Sequence, residues 1–316
     1  MTNHQRIADA GRHIVFAADG ALLVSGKWPE GLTRYVGPTW DAVKRVALRD
    51  LTCALAASPT ALEVCLGMKT AMFFDAHSLK KRPGSLKGHK YQLGAVAYAP
   101  DGLRVFTGGG GHITPPDHTI RLFDRAGIEL ARVPGPAGEV RRLGALDDTF
   151  VVALDTTEGL AGYDMAADRR RWLVPQPESV IPHGPFALDA AEGRVYAALH
   201  EDGGDSAYVL AVLDARTGDE LSRTPLFTWA DRGHIDDVVL VGSSIAISMG
   251  QNAGSAAARK ARVHLFDRAT GARGEILEAT EQTGRLAVSP DGRLLAATMQ
   301  GDLGIAVFDM RGVLGA

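Results

Sequence analysis

Apolar positions along this chain fall into short runs rich in Val, Leu, Ile and Ala, punctuated by Gly, Pro, Asp and Ser, with no sustained helical periodicity between them. Seven times such a run is followed by a tight turn and a second run. The turns are Asp19-Gly20, Ser58-Pro59-Thr60, Pro100-Asp101-Gly102, Asp147-Asp148, Glu192-Gly193, Ser243-Ser244 and Pro290-Asp291-Gly292. With residues 20, 60, 102, 148, 193, 244 and 292 as markers, the steps are 40, 42, 46, 45, 51 and 48 residues. A second marker keeps the same beat. Six apolar runs end in aspartate, at Asp75, Asp124, Asp164, Asp214, Asp267 and Asp309, whereas the first unit has Arg34-Tyr35-Val36-Gly37 at that place. Val151-Val152-Ala153-Leu154, Ile245-Ala246-Ile247 and Leu294-Leu295-Ala296-Ala297 are continuously apolar, as strands covered on both faces require. The stretch Val43 to Leu51 comes nearest to a helix, and it is short.

Steps of this size match the four-stranded blades of a β-propeller. The expected fold is therefore all-β: a single seven-bladed propeller of four-stranded antiparallel blades, at roughly 12–44, 45–87, 88–136, 137–177, 178–227, 228–279 and 280–316. Few residues follow Asp309, so residues 3–9 are expected to supply the outer strand of the last blade and remove an open edge.

Composition narrows the function classes. Of 316 residues, 46% are hydrophobic and 22% charged, enough for a large core, and the net charge of −3 gives no general attraction to nucleic acid or anionic lipid. No signal sequence, transmembrane helix or disulfide framework is read, and the expected location is the cytoplasm. On the turn Ser58-Pro59-Thr60, Cys53 and Cys65 are expected to lie opposite one another, as reduced thiols.

The third unit carries Gly88-His89, then Ala95-Val96-Ala97-Tyr98-Ala99-Pro100-Asp101-Gly102, and finishes Asp117-His118-Thr119-Ile120-Arg121-Leu122-Phe123-Asp124. This resembles the WD-repeat family. The resemblance implies a buried hydrogen-bond chain through His89, Thr107 and Asp117, with Phe123 replacing a tryptophan and so lacking its N–H donor. In the sixth unit it implies a similar structural role for His234, with Ser248. Such motifs specify architecture rather than chemistry.

Other motifs weigh toward plain structure. Gly108-Gly109-Gly110-Gly111 lacks the Lys-Ser/Thr and helix of a phosphate loop and is expected to be a hairpin loop. Arg169-Arg170-Arg171-Trp172 with Arg141-Arg142 has the composition of a nucleic-acid patch, but it fits a charged outer strand better. Ser78-Leu79-Lys80-Lys81 matches a hydrolase pattern only once, in an expected surface turn. The run His200-Glu201-Asp202-Gly203-Gly204-Asp205 offers His200, Asp202 and Asp205 as metal ligands, though a solvated loop is favoured.

Function is expected on the face that carries the inter-blade and second-to-third-strand connections, because long loops on a rigid scaffold concentrate it. The long connections are Gly26 to Leu32, Gly108 to His118, Pro175 to Pro185, His200 to Ala207, Leu226 to Asp236 and Gly250 to Ala261. The candidate binding residues are Trp28, His112, His183, His200, Glu201, Trp229, Arg232, Arg259 and Lys260. The expected protein is a non-enzymatic scaffold for a protein or peptide partner, monomeric by default, with no cofactor and no membrane or nucleic-acid partner. The alternative is an enzyme resembling the sugar-lactone hydrolases, or a metal-dependent site on the same face.

Overall fold

The structure, a computed structural model, describes residues 4–8, 11–26, 31–48, 50, 52–90, 92–110, 117–177, 184–201, 206–228, 233–251, 261–279, 283–299, 304–311 and 313. All regular structure among them is β, in seven four-stranded antiparallel sheets. Blade 1 comprises His13–Phe16, Leu22–Ser25, Leu32–Val36 and Asp41–Val46; blade 2 comprises Ala54–Ala57, Glu63–Gly67, Ala71–Asp75 and Lys81–Leu86. Blade 3 runs through Leu93–Tyr98, Arg104–Gly109, Ile120–Asp124 and Glu129–Val133, and blade 4 through Val140–Ala145, Phe150–Asp155, Gly159–Asp164 and Arg169–Pro175. Blades 5 and 6 use Phe186–Asp189, Arg194–His200, Ser206–Asp214 and Glu220–Thr228, then Gly233–Val241, Ser244–Gln251, Ala261–Asp267 and Arg273–Ala279. Blade 7 has Thr283–Val288, Leu294–Met299 and Ile305–Asp309, and takes its fourth strand, His4–Ile7, from the N-terminal segment.

First strands touch the first strands of both neighbouring blades, and that of blade 7 touches that of blade 1, so the ring closes. Second strands are sandwiched between sheets: Phe150–Asp155 is buried at every position, as its continuous apolar run anticipates. Outer strands face water, and Asp41–Val46, the stretch closest to a helical pattern, is an exposed outer strand. The N-terminal strand pairs His4 with Phe308 and Ile7 with Ile305, and Ile7 is buried at the seam.

The two repeating markers have one physical cause. In the first turns, Asp19, Asp101, Asp147, Asp189 and Asp291 accept backbone N–H groups two residues on, at 2.7–3.2 Å. At the end of the third strands, Asp75 accepts from Ser78, Asp124 from Ile128, Asp164 from Ala167, Asp214 from Arg216 and Thr217, Asp267 from Ala269 and Thr270, and Asp309 from Arg311. These side-chain caps replace the backbone partners lost where the chain reverses. Asp75 is held well below the usual carboxylate range by the Ser78 N–H and then Arg82.

Two local expectations are corrected. Ala56, not Cys53, stands opposite Cys65; Cys53 lies outside the paired strand, donating its N–H to the Gly67 carbonyl at 2.8 Å. The turn is wider than three residues, with Ser58 N–H bonded to the Glu63 carbonyl, which shifts the register. Cys53 and Cys65 form no disulfide, and burial pushes each thiol up. Gly108 and Gly109 are strand residues rather than loop. A Cβ on Gly109 would lie 1.5 Å from the Asp117 carbonyl oxygen, and one on Gly108 would lie 2.4 Å from Val140 of blade 4. Glycine is required there by close approach.

Candidate functional site

Charge is handled differently at the two ends of the ring. On the turn face the capping aspartates also meet arginines. Arg34, buried in blade 1, reaches Asp19 at 2.7 Å and donates to the Ala76 carbonyl of blade 2 at 3.0 Å. Arg216 of blade 5 pairs with Asp147 of blade 4, Arg268 of blade 6 with Asp189 of blade 5, and Arg104 of blade 3 with Asp148 of blade 4. Buried Glu63 of blade 2 accepts from Arg82 at 3.2 Å, from Arg125 of blade 3 at 2.7 Å and from the Tyr98 hydroxyl at 3.1 Å. A groove of about 690 Å³ between blades 7 and 1 opens on this side, lined by Asp19, Arg34, Trp40, Asp309 and Arg311 among others. Its two arginines already hold its two aspartates. These groups are stitching blades together.

The axial channel differs. A cavity of about 200 Å³ is bounded by the inner strands of six blades, with His13, Cys53, Gly94, Arg141, Arg142, Asp237 and Arg285 on its wall. Its lining lies in the first half of those strands, so it sits toward the face where the inter-blade connections deliver them. Asp237, 2% exposed, accepts from the Leu286 and Val238 N–H groups at 2.9 Å and pairs with Arg142. The same guanidinium donates to the Val238 carbonyl at 3.0 Å and stands 5.8 Å above the Phe186 ring. The Arg142–Asp237 pair thus links blades 4, 5, 6 and 7. His13 is lowered to about 4, first by burial, then by Arg285 and Arg12, against a hydrogen bond to the Thr52 backbone. Arg141 and Arg285 engage no carboxylate among the described residues.

Most of the sequence-derived binding residues, namely Trp28, His112, His183, Trp229, Arg232, Arg259 and Lys260, lie outside the described residues, as do Asp202 and Asp205. His200 closes a second strand, is 3% exposed and packs edge-on against Tyr208 at 5.4 Å. Glu201 pairs with Arg223 on the outer strand of blade 5. Neither presents a free ligand to a shared centre. Among the described residues no three of His, Cys, Asp or Glu come together as metal ligands.

The blade 3 residues do meet. His89 Nε2 lies 2.8 Å from Thr107 Oγ1, with both side chains buried. Asp117 sits 3.7 Å from His89 Nδ1 and accepts from the Lys90 N–H at 2.9 Å, the Thr119 hydroxyl at 2.7 Å and Arg121 at 3.2 Å. Phe123 is buried in an apolar cluster with Phe73, Tyr98 and Val105, without a polar role. Blade 6 is otherwise. Gly233 and His234 are already in the inner strand, and the His234 ring, partly exposed, faces Asp236 at 3.0 Å. Ser248 instead donates to the Gly284 carbonyl of blade 7 at 2.7 Å.

The arginine-rich outer strand of blade 4 is not a nucleic-acid patch joined to Arg141-Arg142. Arg170 holds Glu158 and Arg171 holds Asp164, while Trp172 Nε1 donates to the Ala215 carbonyl of blade 5 at 3.0 Å. Arg141 and Arg142 are on the inner strand, at the axis.

The channel lining was legible in the spacing, though only once the turn markers are used as rulers. Seven residues before markers 20, 60, 102, 148, 193, 244 and 292 stand His13, Cys53, Ala95, Arg141, Phe186, Asp237 and Arg285. Six of these line the cavity, and the seventh lies under Arg142. No protein-family model and no curated protein matches this chain.

Proposed function

We propose that this protein is a non-catalytic interaction scaffold, a WD-like propeller that receives a protein or peptide partner on the face of its inter-blade connections. The supporting observation is the asymmetry of charge. Acidic groups at the turn face are consumed by turn caps and inter-blade arginines, whereas Arg141 and Arg285, at the connection-side end of the channel, meet no carboxylate among the described residues. The His89–Thr107–Asp117 arrangement in blade 3 supports the WD-like part of the reading. A protein partner suits a propeller, whose rigid ring holds long connections in fixed relation. The scaffold is assigned to the cytoplasm, where Cys53 and Cys65, offset in register, remain as thiols. No described helix is long and apolar enough to cross a membrane.

The test is affinity capture from the native cell with quantitative mass spectrometry. The double variant Trp229→Ala, Arg232→Glu is compared with wild type and with the turn-face variant Arg311→Gln. Loss of a specific partner in the first and its retention in the second is the expected result. An identical partner set in all three would overturn the assignment of the face.

A further inference from the structure

The geometry points to an oxyanion site in the axial channel: a carboxylate or phosphate group enters from the connection face and is held between Arg141 and Arg285. This deepens the scaffold reading and rests on it only for the direction of approach.

The guanidiniums of Arg141, Arg142 and Arg285 line the cavity, and exposed Arg12 stands near enough to act on His13 in its wall. Among the described residues two carboxylates oppose them. Asp237 is consumed by Arg142 and two backbone N–H groups. Glu139 stands at the rim beside Gly94 and Gly110, near enough to Cys53 to help push its thiol up. Arg142 and Arg285 are half-buried, while Arg12 and Arg141 are exposed. Among the described residues the cations around this cavity of about 200 Å³ thus outnumber the carboxylates that meet them, and their repulsion is relieved when an anion joins them. Proteins ordinarily avoid such a surplus, as this one does on its turn face, where each buried arginine described above meets an acid or a carbonyl.

A second observation reports the same field. His13, on the channel wall, is driven toward its neutral form by Arg285 and Arg12 as well as by burial. The walls otherwise offer Ile14, Ala54, Leu55, Ala95 and Leu286, so half-buried Arg285 acts in a partly desolvated setting where charge-assisted bonds are strongest, with Arg141 at the open side. Guanidinium forks match the planar carboxylate and the phosphate oxygens in two-point contact. At about 30 Å³ per water in the liquid, the cavity has room for such a group with several waters. Long polymers would contribute one acidic side chain or a terminal carboxylate; a free small oxyanion would fill the same place.

The experiment uses the full chain with isotope-labelled histidine, at constant ionic strength. Inorganic phosphate and the tripeptide Glu-Glu-Glu are titrated separately while the His13 imidazole resonance is followed, its assignment secured by His13→Gln. A saturable shift is expected, weakened at least tenfold by the double substitution Arg141→Gln, Arg285→Gln and unchanged by Arg311→Gln on the opposite face. Because Arg141 and Arg285 hold no intramolecular ion pair among the described residues, the double variant should keep its melting temperature. If it does not, the Arg285→Lys variant, which retains charge but loses the fork, should bind with intermediate affinity. Tighter binding of phosphate identifies a free oxyanion as the ligand, and tighter binding of the tripeptide identifies a partner's carboxylate. No saturable shift with either probe, or an undiminished shift in the arginine variants, would overturn the site. That failure alongside normal partner capture refutes the channel site alone; loss of the face assignment with intact phosphate binding refutes only the scaffold reading.

Discussion

Thr107 supplies the hydroxyl that buried His89 needs, and its neighbour Gly109 leaves the space in which the Asp117 carbonyl lies. Replacing Thr107 by Val keeps the shape and removes the partner, so the imidazole is left buried and unsatisfied. The expected cost is about 1–3 kcal/mol, measured by urea denaturation. Gly109→Ala should cost at least as much, since the added methyl meets backbone that cannot rotate away; a neutral result would mean that the strand shifts freely. Titration gives a second test at this scale. Burial first, then neighbouring arginines, lower His13 and His89 to about 4. Both imidazoles therefore bind a proton more readily in the unfolded chain. Stability should be full above about pH 6.5 and fall as the pH drops toward 4. Melting temperatures read across that window should fall less steeply in His89→Gln.

At the scale of elements, the strand His4–Ile7 closes the ring by pairing with Ile305–Asp309. Its removal exposes a sheet edge and uncovers the seam around Ile305 and Val307, which pack with Ile7. Deleting residues 1–8 should cost several kcal/mol, and at roughly 2 °C per kcal/mol for a large domain the melting temperature should fall by more than about 5 °C. An unchanged calorimetric transition would show that the ring closes without it. The capped turns explain why repeats with so little motif in common still fold alike: an aspartate at a strand end needs only nearby N–H groups, whatever side chains follow.

For the whole molecule, the Arg142–Asp237 pair spans the channel and joins four blades. Asp237 is almost wholly buried, so Asp237→Asn leaves a guanidinium without its counter-charge and should cost about 3 kcal/mol. The exposed pair of Arg171 with Asp164 provides the contrast: Arg171→Gln should cost less than about 1 kcal/mol. Equal effects, compared by denaturant midpoint, would argue that the channel pair does not brace the ring.

Periodicity alone determined the number of blades, their four-strand content and the role of the N-terminal segment, because spacing and strand patterning survive even where side-chain motifs have drifted. It also carried the ring of residues seven positions before each turn marker, though nothing local distinguishes Arg141 from Arg170 as inward or outward. Tertiary structure decided that difference: one stands at the axis with no carboxylate partner among the described residues, the other on an outer strand beside Glu158. It decided as well that Cys53 misses Cys65 and that His234 does not join Ser248, since a turn three residues wider, or a strand that begins earlier, changes every partner across the sheet. Register and the meeting of charges from distant blades are properties of the closed ring, and no segment of the chain contains them.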